Sequence, residues 1–249
     1  MTGHSVILHF HENLAGFLPV RDRSGPIKKQ FPCTSTIKDI IESLGIPHTE
    51  IDVILAHDRS VDFSYRPHHL EVIRIFPPHI EFETPVIRLL PEIPALVRFI
   101  CDVHVGKLCR VLRLCGFDTL YKTVFSDSEI IGLAVSEQRI VLTRDRGILK
   151  HTELQYGYCV RSDSWREQAH EVVKRFSLSH RISPFTVCPV CNGCLHEVDK
   201  KAIQDILEEK TKKFYDKFTR CQSCGKIYWE GSHYPNLVEL TDELRGCEG

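Results

Sequence analysis

Two C-x-x-C pairs, CPVCNG at 188–193 and CQSCGK at 221–226, constrain this chain more than any other feature of it. Two residues between cysteines let one tight turn deliver both sulfurs to a single ion, and thiolates are soft donors that suit tetrahedral zinc. A glycine follows the second cysteine of each pair closely, at Gly193 and Gly225, where such a turn calls for positive φ. Cys188, Cys191, Cys221 and Cys224 are therefore the predicted ligands of a structural zinc in a C-terminal ribbon. Four unrelated buried thiols are the plain alternative. An iron–sulfur centre is the sharper one, because Cys194 extends the first pair to C-x-x-C-x-x-C, but no Cys-Pro follows at ferredoxin spacing and two zinc knuckles are already complete without it. The stretch between the pairs exceeds ordinary ribbon spacing, and Lys200 to Phe218 reads as an inserted helix with Ile203, Ile206, Leu207 and Phe214 as its apolar members.

The remaining composition narrows the class. Eleven cysteines, an odd number, favour metal over a disulfide framework, and MTGHSVILHFHENL lacks the basic region and cleavage pattern of an export signal. The expectation is a reducing, cytoplasmic compartment. No run approaches the ~20 apolar residues of a membrane span, so no membrane partner is expected. A net charge of -1 excludes a uniformly basic nucleic-acid binder. The basic excess is local: residues 96–150 carry nine Lys and Arg against six Asp and Glu.

The chain is long enough for more than one domain, and its patterning predicts four segments. Residues 1–78 read as an α+β unit. Val6, Leu8 and Phe10 alternate as in a half-buried strand, Ile27–Phe31 is its hairpin partner, and Thr36 with Asp39 forms a capping box ahead of the apolar face Ile37, Ile40, Ile41 and Leu44, with Gly45 as terminator. Strands near 51–56 and 70–76 complete a β-grasp. Prolines at 77, 78, 85, 91 and 94 mark 79–95 as a linker. Over 96–182, strands near 96–101, 119–124, 139–143 and 158–161 alternate with helices near 104–115, after Ser126, and 164–176, which implies a parallel α/β sheet. The ribbon, its inserted helix and a tail occupy 183–249.

Asp102 and Asp145 each fall just past a predicted parallel strand, where open α/β sheets collect ligands, and Asp127 stands at a helix start after another strand. Three carboxylates sharing one crevice would repel unless a divalent cation neutralised them, and magnesium or manganese is the natural occupant. Glu129 and Asp163 are weaker acidic candidates. Each also has a structural reading, as a helix cap or a turn former. Lys107, Arg110 and Arg113 line the side of a helix opposite its apolar face, and Arg144 and Arg146 flank Asp145. Together they are the predicted contacts to a phosphate backbone; a solvated helix face is the competing explanation for each.

Two resemblances can now be stated. TSTIKDIIESLGIPHTEIDVILAHDRSVDF resembles ubiquitin-like sulfur carriers, but no terminal Gly-Gly follows: the strand runs into Ile75-Phe76-Pro77-Pro78. That departure points to a docking or scaffold role, with a protein partner, in place of sulfur transfer. The runs FICDVHVGKLCRVLRLCGFDTLY, SDSEIIGLAVSEQRIVLTRDRGIL and CPVCNG with CQSCGKIYWEGSHY resemble the ribonuclease family named for the C-terminal region of the Mut-seven protein. In that family a PIN-like nuclease domain carries a zinc ribbon, often behind a ubiquitin-like domain. The resemblance implies acidic residues at one end of a parallel sheet, matched by Asp102, Asp127 and Asp145, and metal-dependent RNA cleavage. Ser126 stands where a further acidic residue is often found, and Cys109 and Cys115 replace aliphatic residues. The competing function is a catalytically inactive module that binds RNA or a ribonucleoprotein.

Overall fold

The computed structural model describes residues 4–247. The first three residues of the predicted amino-terminal unit and the last two of the predicted tail lie outside the described residues. The chain divides into two compact units, Met1–Pro94 with Asp127–Cys159, and Ala95–Ser126 with Val160–Gly249.

The first unit begins with β1 (His4–Phe10), a single helical turn α1 (Glu12–Ala15), β2 (Ile27–Phe31), α2 (Ile37–Ser43), β3 (Val53–Ala56), β4 (Arg59–Val61) and β5 (Glu71–Phe76). The strand order is β2-β1-β5-β3-β4, with β1 and β5 parallel at the centre and every other pair antiparallel. Alternation along β1 and β5 sends Val6, Leu8, Ile73 and Ile75 into the core, where they meet the fully buried face of α2 made of Ile37, Ile40 and Ile41. The capping box forms, with Thr36 accepting from the Asp39 N–H while Asp39 accepts from Thr36. Gly45 ends the helix at φ +94°, a conformation only glycine adopts without strain. This mixed sheet is the predicted β-grasp, with the short β4 as an addition. The proline-rich stretch is strapped onto it: Arg88 pairs with Asp52, and the amides of Leu89 and Leu90 also reach Asp52.

Further along run β6 (Arg98–Cys101), α3 (Gly106–Leu114), β7 (Asp118–Tyr121), α4 (Asp127–Glu137), β8 (Ile140–Thr143), α5 (Arg146–Leu149), β9 (Gly157–Cys159) and α6 (Trp165–Arg175). β6 pairs in parallel with β7, and β8 with β9, so this region is the predicted parallel α/β fold. The apolar residues Val105, Leu108, Cys109, Leu112 and Cys115 are buried throughout, and Gly116 at φ +93° stops α3 where a Cβ would collide with the Ser183 carbonyl oxygen.

The rest of the second unit holds β10 (Leu195–Val198), α7 (Lys200–Ile203), α8 (Glu209–Phe214), β11 (Phe218–Cys221), β12 (Ile227–Trp229) and α9 (Tyr234–Arg245). β10, β11 and β12 make an antiparallel sheet in that order. The insertion is not the single helix predicted over Lys200 to Phe218. The chain becomes extended at Leu207 and Glu208, dividing it into two short helices, and Phe218 opens a strand. Ile203, Leu207 and Phe218 form a small core, whereas Ile206 and Phe214 face solvent.

Candidate functional site

The two cysteine pairs meet. Their four sulfurs lie within 4.8 Å of one another, with Cys188 and Cys224 3.8 Å apart and Cys191 and Cys221 3.4 Å apart. Four Zn–S bonds of ~2.3 Å in a tetrahedron separate sulfurs by ~3.8 Å, so the cluster fits one such ion. Cys194, exposed and paired with Val187 in a single β-bridge, is outside that group.

Each pair is shaped by the same local bonds. In the first, the Cys188 N–H donates to the Gly193 carbonyl oxygen and the Asn192 N–H to that of Cys188; in the second, the Cys221 N–H donates to Lys226 and the Gly225 N–H to Cys221. The left-handed residue is Gly225 in the second turn, at φ +72°, but Asn192 in the first, at φ +69°. Asparagine tolerates that region, which frees Gly193 for another duty. A Cβ on Gly193 would sit 2.4 Å from the Ser223 hydroxyl and 2.9 Å from the Cys221 sulfur, so this glycine is what lets the two turns close on each other.

Burial pushes the Cys188 thiol up, but the Tyr228 hydroxyl and the backbone N–H groups of Cys191 and Val190 outweigh it and hold the thiol down at about 6. Tyr228 reaches that sulfur at 3.0 Å. A thiol so disposed is a ready thiolate ligand. The first turn is also anchored to the α/β region. Asn192 accepts from the Thr119 N–H through Oδ1 and donates to Asp118 through Nδ2. Arg113 donates from Nε to the Thr119 carbonyl and from Nη1 to those of Pro189 and Val190.

That arrangement corrects one expectation. Arg113 was predicted to face RNA beside Lys107 and Arg110, yet it is 6% exposed and spends its donors on three carbonyl oxygens. Lys107 and Arg110 are exposed on α3, as expected of a solvent-facing helix side. Arg144 and Arg146 are exposed as well, and Arg146 lies with its guanidinium 4.9 Å from the centre of the Phe17 ring and donates to the Phe17 carbonyl at 2.8 Å.

The carboxylates occupy the ends of elements. Asp102 follows β6, is 4% exposed, and accepts from the His104 N–H at 2.8 Å. Asp145 follows β8 and is exposed; its own N–H donates to Thr143 Oγ1, and its Oδ1 accepts from the Gly147 N–H at 2.6 Å, capping α5. Asp127 and Glu129 are exposed in the first turn of α4, and Asp163 is exposed between β9 and α6. The capping geometry foreseen as the alternative role is thus present at Asp102 and Asp145. It engages Oδ1 in both.

Tyr228, Asn192 and Arg113 were absent from the sequence-based ligand set. For Asn192 a signal existed, because Asn followed by Gly in a tight turn marks a left-handed position.

A parallel α/β fold joined to a ribbon whose four cysteines could hold a metal ion, and preceded by a mixed-sheet β-grasp, defines the class of the chain. Residues 97–241 match the family described as Mut7-C RNAse domain, and residues 3–83 match that described as Mut7-C ubiquitin. The chain belongs to the Mut7-C RNAse domain family, and its amino-terminal part to the ubiquitin-like family that accompanies it. No curated protein and no solved structure gives a significant match. Among the described residues, no helix is long and apolar enough to cross a membrane.

Proposed function

We propose that the chain is a ribonuclease that hydrolyses RNA phosphodiesters with a divalent cation, magnesium or manganese, held by Asp102, Asp127 and Asp145. The observation carrying this reading is the match of residues 97–241 to an RNase domain, a span that contains all three carboxylates. The donors fit the group: an all-oxygen, anionic set suits a hard divalent cation. When bound, such a cation offsets charge developing at the phosphodiester and acidifies water. The residues of this chain supply the rest. Asp145 has one oxygen fixed by the Gly147 N–H, which orients the other. Lys107, Arg110 and Arg144 lie exposed, where they hold backbone phosphates without a proton-transfer role. Glu129 and Asp163 are reserve carboxylates. The cation in the cysteine cluster is zinc, and it is structural, since four thiolates leave no open position.

The competing reading, a non-catalytic RNA-binding module, draws on a groove of about 1140 Å³ in the ribbon. Phe185, Tyr215, Trp229 and Tyr234 line it together with Lys217 and Lys226, offering faces on which unstacked bases can stack. Titrating magnesium and manganese against a mixed RNA pool separates the two. Cleavage that requires the cation and fails in Asp145→Asn supports the enzyme. Retained binding with no cleavage by the wild-type chain supports the module.

A further inference from the structure

The helix that Asp145 caps is four residues long, far below the length at which a helix holds its own shape in water. Its two ends are instead held by the β-grasp domain. At the amino end, Arg146 donates to the Phe17 carbonyl and lies over the Phe17 ring, which is itself buried. Gly45 passes beside the same guanidinium: a Cβ there would lie 3.6 Å from Arg146 Nη1. At the carboxyl end, Lys150 donates from Nζ to the Glu42 carbonyl at 2.7 Å. Glu42 is in the last turn of α2, where exposed carbonyls carry partial negative charge and favour a cation.

The contacts continue down the segment. His48 bridges Glu42 Oε1, at 2.8 Å, and the Leu154 carbonyl, at 3.0 Å. Glu50, 1% exposed, accepts from the Cys159 N–H at 2.7 Å and so binds the backbone of β9. A surface made of one buried carboxylate, one buried imidazole and two cations aimed at carbonyls is specific in its geometry, unlike the slippery contact of two apolar patches.

We infer that the β-grasp domain is a positioning element for Asp145: by gripping α5 at Arg146 and Lys150 it fixes the turn that aims the Asp145 carboxylate, and the partner it recognises is this chain's own 146–159 segment. This rests on the reading of Asp145 as a cation ligand. Arg146 and Lys150 are then positioning residues, and Phe17 acts through Arg146. Arg146 accordingly leaves the set expected to touch RNA.

The test uses the full-length chain with Phe17→Ala, Lys150→Met and, as the conservative control, Lys150→Arg. Three quantities are read: amide hydrogen exchange over 145–150 without divalent cation, manganese affinity by titration, and RNA cleavage resolved into kcat and KM. Exchange in that segment should rise about tenfold in Phe17→Ala and Lys150→Met. Manganese affinity should fall severalfold and kcat with it, while KM and its salt dependence stay at wild-type values and Lys150→Arg recovers most of the loss. Faster exchange with unchanged manganese affinity and kcat would make the contact merely structural and overturn the inference, as would exchange that does not change. A rise in KM with unchanged kcat would return Arg146 to RNA contact. Asp145→Asn separates the two layers: if it leaves manganese affinity intact, the cation-site reading itself fails. If it lowers affinity and Phe17→Ala does not, only the positioning role fails.

Discussion

Arg113 Nη1 donates to the carbonyl oxygen of Val190 at 3.0 Å, joining two residues 77 positions apart in the chain. The bond places a buried cation between a helix of the α/β fold and the first cysteine turn. A guanidinium in that setting must find acceptors, and the bent backbone of a metal-binding turn exposes them at Pro189 and Val190.

Arg113→Met should therefore act on stability and not on RNA affinity. It removes charged hydrogen bonds to three carbonyl oxygens, the buried one of Thr119 among them, a loss of about 3 kcal/mol. Arg110→Ala on the exposed side of the same helix should shift stability by no more than ~0.5 kcal/mol and weaken RNA binding with a flatter salt slope. Urea denaturation beside RNA titration at two salt concentrations checks the pair; a stable Arg113→Met chain with impaired RNA binding would restore the surface role.

Zinc retention should fall with acid. The Cys188 thiol is held down at about 6 in the folded chain, so its stabilising contribution is present above the ordinary thiol range and disappears as pH falls through that value. Resistance to a chelator should decline below about pH 6. Tyr228→Phe removes the hydroxyl at 3.0 Å from the sulfur and should move the decline to higher pH. Superimposable pH profiles for the two proteins would contradict this.

Gly193→Ala should harm the ribbon through contact and not through backbone strain. The added methyl meets Ser223 and the Cys221 sulfur, so the turns must separate at a cost of about 1–3 kcal/mol. Ser223→Ala in the same chain relieves the nearest clash and should recover part of the loss in zinc affinity. No recovery would point to a different cause.

Much of this was written in local pattern. Alternation in β1, the capping box at Thr36, the stop at Gly45 and the meeting of the two cysteine pairs are each encoded within a few residues, and each forms as expected, except that the left-handed residue of the first cysteine turn is Asn192 and not the expected Gly193. What stayed hidden depends on distant partners. Arg113 follows Lys107 and Arg110 at helical spacing and reads as surface, and only carbonyls from the ribbon explain its burial. Ile203 and Leu207 have helical spacing too, but burial of Phe218 beside them ends the helix between. The grip of the β-grasp domain on α5 uses backbone carbonyls as acceptors, and these leave no trace in residue type. At Asp102 and Asp145 residue type does not separate two roles, since the strand-end positions that suit a cation also suit the caps these residues form.

That ambiguity is resolved most directly by single-turnover cleavage of end-labelled RNA with magnesium, with manganese and with chelator, comparing the wild-type chain with Asp102→Asn, Asp127→Asn and Asp145→Asn, each checked for its melting temperature. Asparagine retains the oxygen that a cap needs but removes the charge that a cation needs. Cleavage by the wild type should stop with chelator, fall at least about a hundredfold in Asp102→Asn and Asp145→Asn, and fall less in Asp127→Asn, with melting temperatures little changed. Cleavage at the wild-type rate by the Asn variants, or none by the wild type with either cation, would contradict the proposed function.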